Sequence, residues 1–336
     1  VSALITNSRA KSARLCARKH ALTYLQGYRP LVASEDLDFG SLVHTGLEAW
    51  WCHAVSGINP DERLTAAMRA VAAVEVDAFL KVKAQVMLAA YHARWAGEAF
   101  SAVAVEVQFE SPLRNPDTGA ESKIWRLSGK LDAVVHDAEG GLWLMEHKTS
   151  SEDLTPGGNY WRRLRMDSQV SIYFDGARAL GHEVRGCIYD VLSKPSQRPL
   201  KATPEDKRKL TKEGKLYAGQ RLTDETPEEY GARIADIVMA APADYVARIE
   251  VPRLESELDD ARRDLWQQAQ RLREDERLGR APRNPDSCNA YGRVCEFFDV
   301  CTGTASLDDP TRFKRLTEVH PELAGPSAIS KEESPT

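Results

Sequence analysis

The chain has 336 residues, 42% of them hydrophobic and 28% charged, a composition that excludes the disordered and collagen-like classes. No apolar run approaches the ~20 residues that span a bilayer, and the amino end VSALITNSRAKSARLC lacks the apolar core of a secretory signal, so a cytoplasmic protein is expected. A net charge of −5 argues at first against a nucleic-acid partner, but a substrate feels the field inside a cleft, so charge leaves that partner open.

Residues 8–27 read as a helix with a polar start at Asn7 or Ser8 and Gly27 beyond its end. A second helix begins near Asp38 and carries FGSLVHTGLEAWWCHAV until Gly57-Ile58-Asn59-Pro60 breaks it. From Asp61 to Gly97 the Ala-rich periodicity fits one long helix or two shorter ones. At Ala102 the pattern changes, and AVAVEVQFE alternates as a half-buried strand should. The turn-rich SPLRNPDTGAES follows, then IWRLSGKLDAVVHD, a turn at Ala138-Glu139-Gly140-Gly141, and LWLMEHKTS. These are three strands of a meander, the last apolar enough to lie centrally in a sheet. Helical periodicity returns over 161–180, with Gly181 as a C-cap, and EVRGCIYDVLSK is another strand. The stretch 194–243, rich in Lys, Glu, Pro and Thr, reads as an elaboration. ADYVARIEVPR adds a strand, and LESELDDARRDLWQQAQRLREDERL is an amphipathic helix. The closing segment 303–336 carries Pro310, Pro321, Pro326 and Pro335 and reads as a tail, flexible at its end.

The stretch GKLDAVVHDAEGGLWLMEHKTS concentrates the chemistry. Asp132 closes one strand, and Glu146 and Lys148 lie on the next. Side chains alternate along a strand, so Glu146 and Lys148 share a face while His147 points away. Adjacent strands can bring Asp132 beside Glu146, where a divalent cation relieves the repulsion of two carboxylates; oxygen ligands suit Mg²⁺ or Mn²⁺. A lysine beside such a metal can position an attacking water and offset phosphate charge. An isolated Glu-x-Lys would mean little, but this one ends the apolar run LWLM, where unpaired charge is expensive. Glu106 can approach the same point from the first strand of the meander, or be a structural strand glutamate.

In order and spacing, these motifs resemble the RecB-like branch of the PD-(D/E)XK nuclease superfamily, over most of the chain. Gly129-Lys130-Leu131-Asp132 is similar to the G-x-x-D element and Glu146-His147-Lys148 to E-x-K. Gly40-Ser41-Leu42-Val43-His44 is similar to the helix that carries a histidine ligand, and Gln169-Val170-Ser171-Ile172-Tyr173 to Q-x-x-x-Y. The resemblance implies metal ligation by His44, Asp132, Glu146 and the backbone carbonyl of His147. It makes Lys148 the catalytic lysine, with Gln169 and Tyr173 orienting it or the substrate.

Of the six cysteines, Cys52 and Cys187 read as small buried hydrophobes. Cys288, Cys295 and Cys301 lie in PRNPDSCNAYGRVCEFFDVC, and Cys16 is far upstream. Thiols so placed suit structural zinc or iron–sulfur ligation, although the C-x₂₋₄-C pairs usual for zinc are missing. Bacterial helicase–nuclease, CRISPR-associated and viral members of the RecB-like branch look similar, with one amino-terminal cysteine and three near the end. That resemblance implies a 4Fe-4S cluster on Cys16, Cys288, Cys295 and Cys301, although this chain departs from the commonest spacing, which begins C-x-x-C.

The expected fold is α/β: a restriction-endonuclease-like core with a mixed central sheet flanked by helices, and the cluster joining the two ends. One nuclease domain over 1–302 is expected, with a helical N-terminal region over 1–100, a catalytic core 101–193, an elaboration 194–283 and a cysteine segment 284–302. The expected activity is metal-dependent exonucleolysis of single-stranded or end-containing DNA, in recombination, repair or viral DNA processing, with Tyr160, Trp161 and Tyr173 read either as stacking platforms or as core residues. The rivals are a structure-selective endonuclease with the same chemistry, an idle DNA-binding subunit of a recombination machine, and a zinc-stapled hydrolase. A partner helicase is not legible.

Overall fold

The computed structural model describes residues 3–31, 35–55, 59–290 and 293–323. The chain opens with β1 (Ala3–Ile5), α1 (Asn7–Leu15), α2 (Ala17–His20) and β2 (Tyr28–Pro30). The helix expected over 8–27 is thus interrupted, because Cys16 is extended at φ −162° and ψ 118°. Helices α3 (Glu35–Val55), α4 (Pro60–Ala72) and α5 (Ala78–Trp95) follow. The Ala-rich stretch is two helices because each has its own start signal. Asn59 and Pro60 open α4, and the Asp77 carboxylate accepts from the Leu80 N–H at 3.0 Å to open α5.

The meander is β3 (Ser101–Arg114), β4 (Glu121–His136) and β5 (Leu142–Ser150). Next come α6 (Asn159–Arg165) and α7 (Ser168–Ala179), separated at Met166 because Asp167 caps α7 through the Gln169 N–H. Strand β6 (Gly186–Ser193) precedes α8 (Pro227–Ala240), α9 (Pro242–Tyr245) and β7 (Val246–Val251). Helix α8 lies in the stretch read only as an elaboration; Thr226-Pro227-Glu228-Glu229 forms a capping box there. The long α10 (Glu255–Leu278) leads to β8 (Asn289–Ala290), β9 (Arg293–Val294), α11 (Phe298–Thr302) and β10 (Phe313–Arg315).

The main sheet is mixed, in the order β1-β4-β5-β6-β7, with β3 on the other edge of β4. Strand β5 is central, as its apolar sequence requires. Both faces are covered. Val135, Met145, Ile188 and Leu192 pack under Leu42, Leu47, Trp51 and Leu88 of α3 and α5. Val134, Leu144, Tyr189 and Val191 pack under Val170, Phe174, Leu265 and Ala269 of α7 and α10. Alternate residues of each strand therefore serve opposite cores, each fully buried large side chain contributing about 1.5–3 kcal/mol. Among the described residues, no helix is long and apolar enough to cross a membrane.

The segment 303–323, expected to begin a tail, is fastened to the body. Strand β10 pairs antiparallel with β2, and Arg29 donates to the Val319 carbonyl at 2.9 Å. The end of the expected tail, 324–336, lies outside the described residues.

Candidate active site

Strand β4 is shared along one edge by two partners. Its residues Trp125–Leu127 pair with β1 and its residues Ala133–His136 with β5. The β4–β5 ladder stops at Ala133 opposite Met145. One step further the register would set Asp132 against Glu146, but there the strands part, and Glu146–Ser150 continue beside β6 alone. The Asp132 carboxylate fills the gap, accepting the His147 N–H at 2.8 Å in place of a ladder carbonyl. A slit in the sheet thus separates two acidic side chains, Asp132 and Glu146.

Glu146 is 2% exposed. One of its oxygens, Oε1, accepts from Lys148 Nζ at 2.5 Å and from Gln169 Nε2 at 2.7 Å. Lys148 also donates to Gln169 Oε1 at 2.8 Å, and Gln169 donates to the Tyr173 hydroxyl at 2.9 Å. The Q-x-x-x-Y pair is one helical turn apart on α7, so both reach the same face. The other Glu146 oxygen, Oε2, is buried with no hydrogen-bond partner. Burial first, then the Asp132 charge, raises the Glu146 pKa to about 7, and burial likewise raises that of Asp132. Burial opposes protonation of Lys148, but Glu146 and Asp132 outweigh it and hold the ammonium charged.

Across the slit, His44 and Glu106 join Asp132; one ligand atom from each lies within 4.8 Å of the others. His44 Nδ1 is 3.9 Å from Asp132 Oδ2, and burial, followed by the nearby His147, lowers the His44 pKa to about 4, leaving a neutral imidazole. Glu106 reaches this point through an unusual backbone. It has φ +52°, the one positive φ outside glycine among the described residues. Such a conformation costs about 1–2 kcal/mol for an L-residue, and here it turns the carboxylate inward, where it is also paired with Lys130. Glu48, one turn after His44, lines the same cavity of about 510 Å³ with Lys130, Thr149, Tyr173, Pro321 and Glu322. We predict that Glu106→Gly stabilises the metal-free protein by about 1 kcal/mol while weakening divalent-metal binding. Thermal melts with chelator and with Mn²⁺ check both halves.

The donor set of this site, the neutral imidazole of His44 and the carboxylates of Glu106 and Asp132, with the unpartnered Glu146 oxygen on the next strand, fits a divalent cation. The family model described as the PD-(D/E)XK nuclease superfamily matches residues 5–302. The chain belongs to that superfamily. Membership implies metal-dependent hydrolysis of nucleic acid, with divalent ions such as Mg²⁺ or Mn²⁺. No curated protein matches the chain. The solved structure of SSO0001 is similar at 14% identity over 82% of this chain and 90% of its own, with a TM-score of 0.29, and adds nothing to the assignment.

Behind its slit the nuclease holds a buried charge network that the sequence reading missed. His147 turns to the α3–α5 side, its ring stacked near Trp51, with Nδ1 3.4 Å from Asp190 Oδ2. Asp190 is 0% exposed, and it accepts from the Tyr91 hydroxyl at 2.6 Å and pairs with Arg248 at 3.0 Å. Arg248 faces Asp190 in the β6–β7 register, lies 4.2 Å over the Trp95 ring and also pairs with Glu98. Burial works against the Asp190 charge, but Arg248 and His147 outweigh it and depress the pKa well below the carboxylate range. The legible signal was a lone Asp inside Ile188-Tyr189-Asp190-Val191-Leu192, followed by an Arg in the next strand.

The nuclease also draws its cysteine segments together. The Arg18 N–H donates to Pro282 O at 3.0 Å, and Asn284 Nδ2 to Leu15 O at 2.9 Å, which flank Cys16. The Cys295 N–H donates to Cys288 O at 2.8 Å. Burial raises the Cys301 pKa, and Cys16 and Cys288 are close enough to add to the shift. All four thiols are half-buried, yet among the described residues no three sulfurs converge tightly enough to hold a single ion.

One expectation is corrected and one alternative is decided. Cys52 is exposed, not buried, because it sits about 100° around α3 from the buried Trp51; Cys187 is buried as expected. Tyr160 and Trp161 belong to the core, 6% and 3% exposed, with the Trp161 indole donating to Leu154 O at 2.9 Å, so neither is free to stack on a base. Tyr173 is the one of the three that lines the cavity.

Proposed function

We propose that this nuclease is a divalent-metal-dependent deoxyribonuclease that degrades single-stranded or end-bearing DNA as an exonuclease, in recombination, repair or viral DNA processing. The observation that carries the reading is the convergence of His44, Glu106 and Asp132 beside a buried, unpartnered Glu146 oxygen. His44, Asp132, Glu146 and the His147 carbonyl hold the cation, with Glu106 as an added ligand. The bound ion supplies Lewis acidity and lowers the pKa of water. Lys148, braced between Glu146 and Gln169, aims its ammonium at the scissile phosphate and offsets charge there. Tyr173 fixes Gln169 and walls the cavity.

The preference for ends rests on the cavity rim. Pro321 and Glu322 close one side, with Glu322 held by the Thr6 hydroxyl at 2.5 Å. A passage walled this way admits a free single strand more readily than stiff duplex. The test is incubation of anaerobically purified protein with linear and circular DNA, with and without Mn²⁺. We predict loss of linear single strands, slower attack on blunt duplex, survival of circular single strands, and no cleavage in chelator. Cutting of circles at the linear rate would make it an endonuclease, and inertness on every substrate would make it an idle subunit.

The same proposal assigns Cys16, Cys288, Cys295 and Cys301 to a 4Fe-4S cluster joining the two ends, and one nuclease domain to residues 1–302. The four half-buried thiols of the cysteine segments support the cluster, because a cubane spreads its ligands more widely than one zinc ion does. Replacing any of the four should bleach a brown protein carrying roughly four irons per chain and lower its melting temperature. Cys52→Ser should leave colour and iron unchanged. A colourless protein with one tightly held zinc would overturn the cluster and leave the nuclease reading intact.

A further inference from the structure

A second cavity, of about 940 Å³, opens where β5 and β6 end. Ser151 lies at its edge, roughly 10 Å beyond Lys148 at about 3.3 Å per strand residue. Lys194 follows β6 and donates its backbone N–H to Ser150 O at 2.7 Å, so the cavity is anchored to the strand that carries Glu146. Helix α3 connects the two places as well. Glu35 lines the second cavity and His44 the first, nine residues apart and therefore roughly 13 Å at about 1.5 Å per residue.

The lining is rich in cations: Lys83, Lys194, Arg198 and Lys201. Two carboxylates oppose them, Asp77 and Glu35, and Asp77 is engaged in capping α5. Lys83 is 7% exposed, an unusual burial for an ammonium, and among the described residues its nearest carboxylate oxygen, on Glu35, is 4.0 Å away, beyond hydrogen-bond distance. Glu35 instead accepts from Lys194 at 2.9 Å, and it is the Glu35 side chain, 68% exposed against 12% for Lys194, that is able to swing away. A buried ammonium held off from its counter-charge is costly, and a phosphate seated beside Lys194 would bring one to Lys83.

We propose that this cavity is a phosphate subsite that grips the backbone of the substrate strand a few nucleotides from the scissile bond, with Glu35 standing in for the phosphate until DNA arrives. The proposal rests on the nuclease reading and adds the direction of the strand path, from the slit along the ends of β5 and β6. Sequence-independent contacts of this kind position the strand without reading its bases.

The test is binding, without cleavage, of a fluorescein-labelled oligothymidylate in chelator, by anisotropy across a salt series. Lys194→Gln and Arg198→Gln should each weaken binding several-fold and flatten the log–log salt slope by about 0.7, the single-strand value for one phosphate contact. Lys83→Gln should do the same, and the two more accessible cations keep the test open if that buried variant fails to fold. Glu35→Gln should tighten binding several-fold, because the competing carboxylate is gone. The exposed Lys123→Gln on β4 should match the wild type. Wild-type affinity and slope in Lys194→Gln and Arg198→Gln would overturn the subsite while leaving a DNA-binding nuclease. A wild-type protein that neither binds nor cleaves DNA would overturn both readings.

Discussion

Asp132→Ala, Glu146→Ala and Lys148→Ala should each lower the rate of DNA cleavage by about three powers of ten or more, without loss of the fold. Removing one group that acts only in the transition state commonly has an effect of this size. The three differ in what the metal-free protein should show. Glu146→Gln removes a buried charge that desolvation and the neighbouring Asp132 disfavour even with Lys148 beside it, so that variant should melt higher than wild type in chelator. Asp132→Ala removes the acceptor of the His147 N–H where the sheet parts, so it should melt lower. Single-turnover cleavage with saturating Mn²⁺, alongside melts in chelator, separates the two effects. Near-wild-type cleavage by any of the three would remove that residue from the catalytic set.

Asp190→Ala should be the most destabilising single change outside the slit, at about 3–5 kcal/mol. It leaves Arg248 and His147 in a buried site without their counter-charge. Asp190→Asn keeps the shape and loses the charge, and should fall short of wild type by less. The pH dependence has a definite sign. The folded pKa of Asp190 lies below its unfolded value, so its contribution is complete above the ordinary carboxylate pKa of about 4 and is lost as pH falls further. Denaturant melts from neutral pH downward should therefore show wild type and Asp190→Asn converging in acid. Parallel curves at every pH would show that the charge contributes nothing.

The strands were legible because each carries its period openly. AVAVEVQFE alternates, LWLMEHKTS is apolar enough to be central, and β3 to β7 overlap those patterns, although β3 runs on through Ser111–Arg114, read as turn, and Ala243–Tyr245, read as strand, belong to α9. The helix start at Asp77 was not picked out of the Ala-rich periodicity, and the breaks at Cys16 and Asp167 were likewise hidden inside continuous periodicity. At the site, alternation correctly separates Glu146 and Lys148 from His147, since it depends only on backbone geometry. The inward turn of Glu106 was not legible, because a positive φ at a glutamate has no sequence mark. The role of Asp190 needed a partner 58 residues away, and sequence offers the charge but not the pairing. Aromatic residues stayed ambiguous in the same way: only their burial decides that Tyr160 and Trp161 are core residues and not platforms.

The pairing of β2 with β10 joins residues 28–30 to residues 313–315. A ribosome delivers the sheet from β3 to β7 long before β10, and closing so long a loop is entropically slow. During synthesis the catalytic strands can form their ladder while the first thirty residues still wait for their partner. The rim residues Pro321 and Glu322 follow β10 and emerge later still. The order of translation thus brings Pro321 and Glu322 to the cavity only after the strands that carry Asp132 and Glu146 have been made, so the carboxylates of the cavity precede its rim.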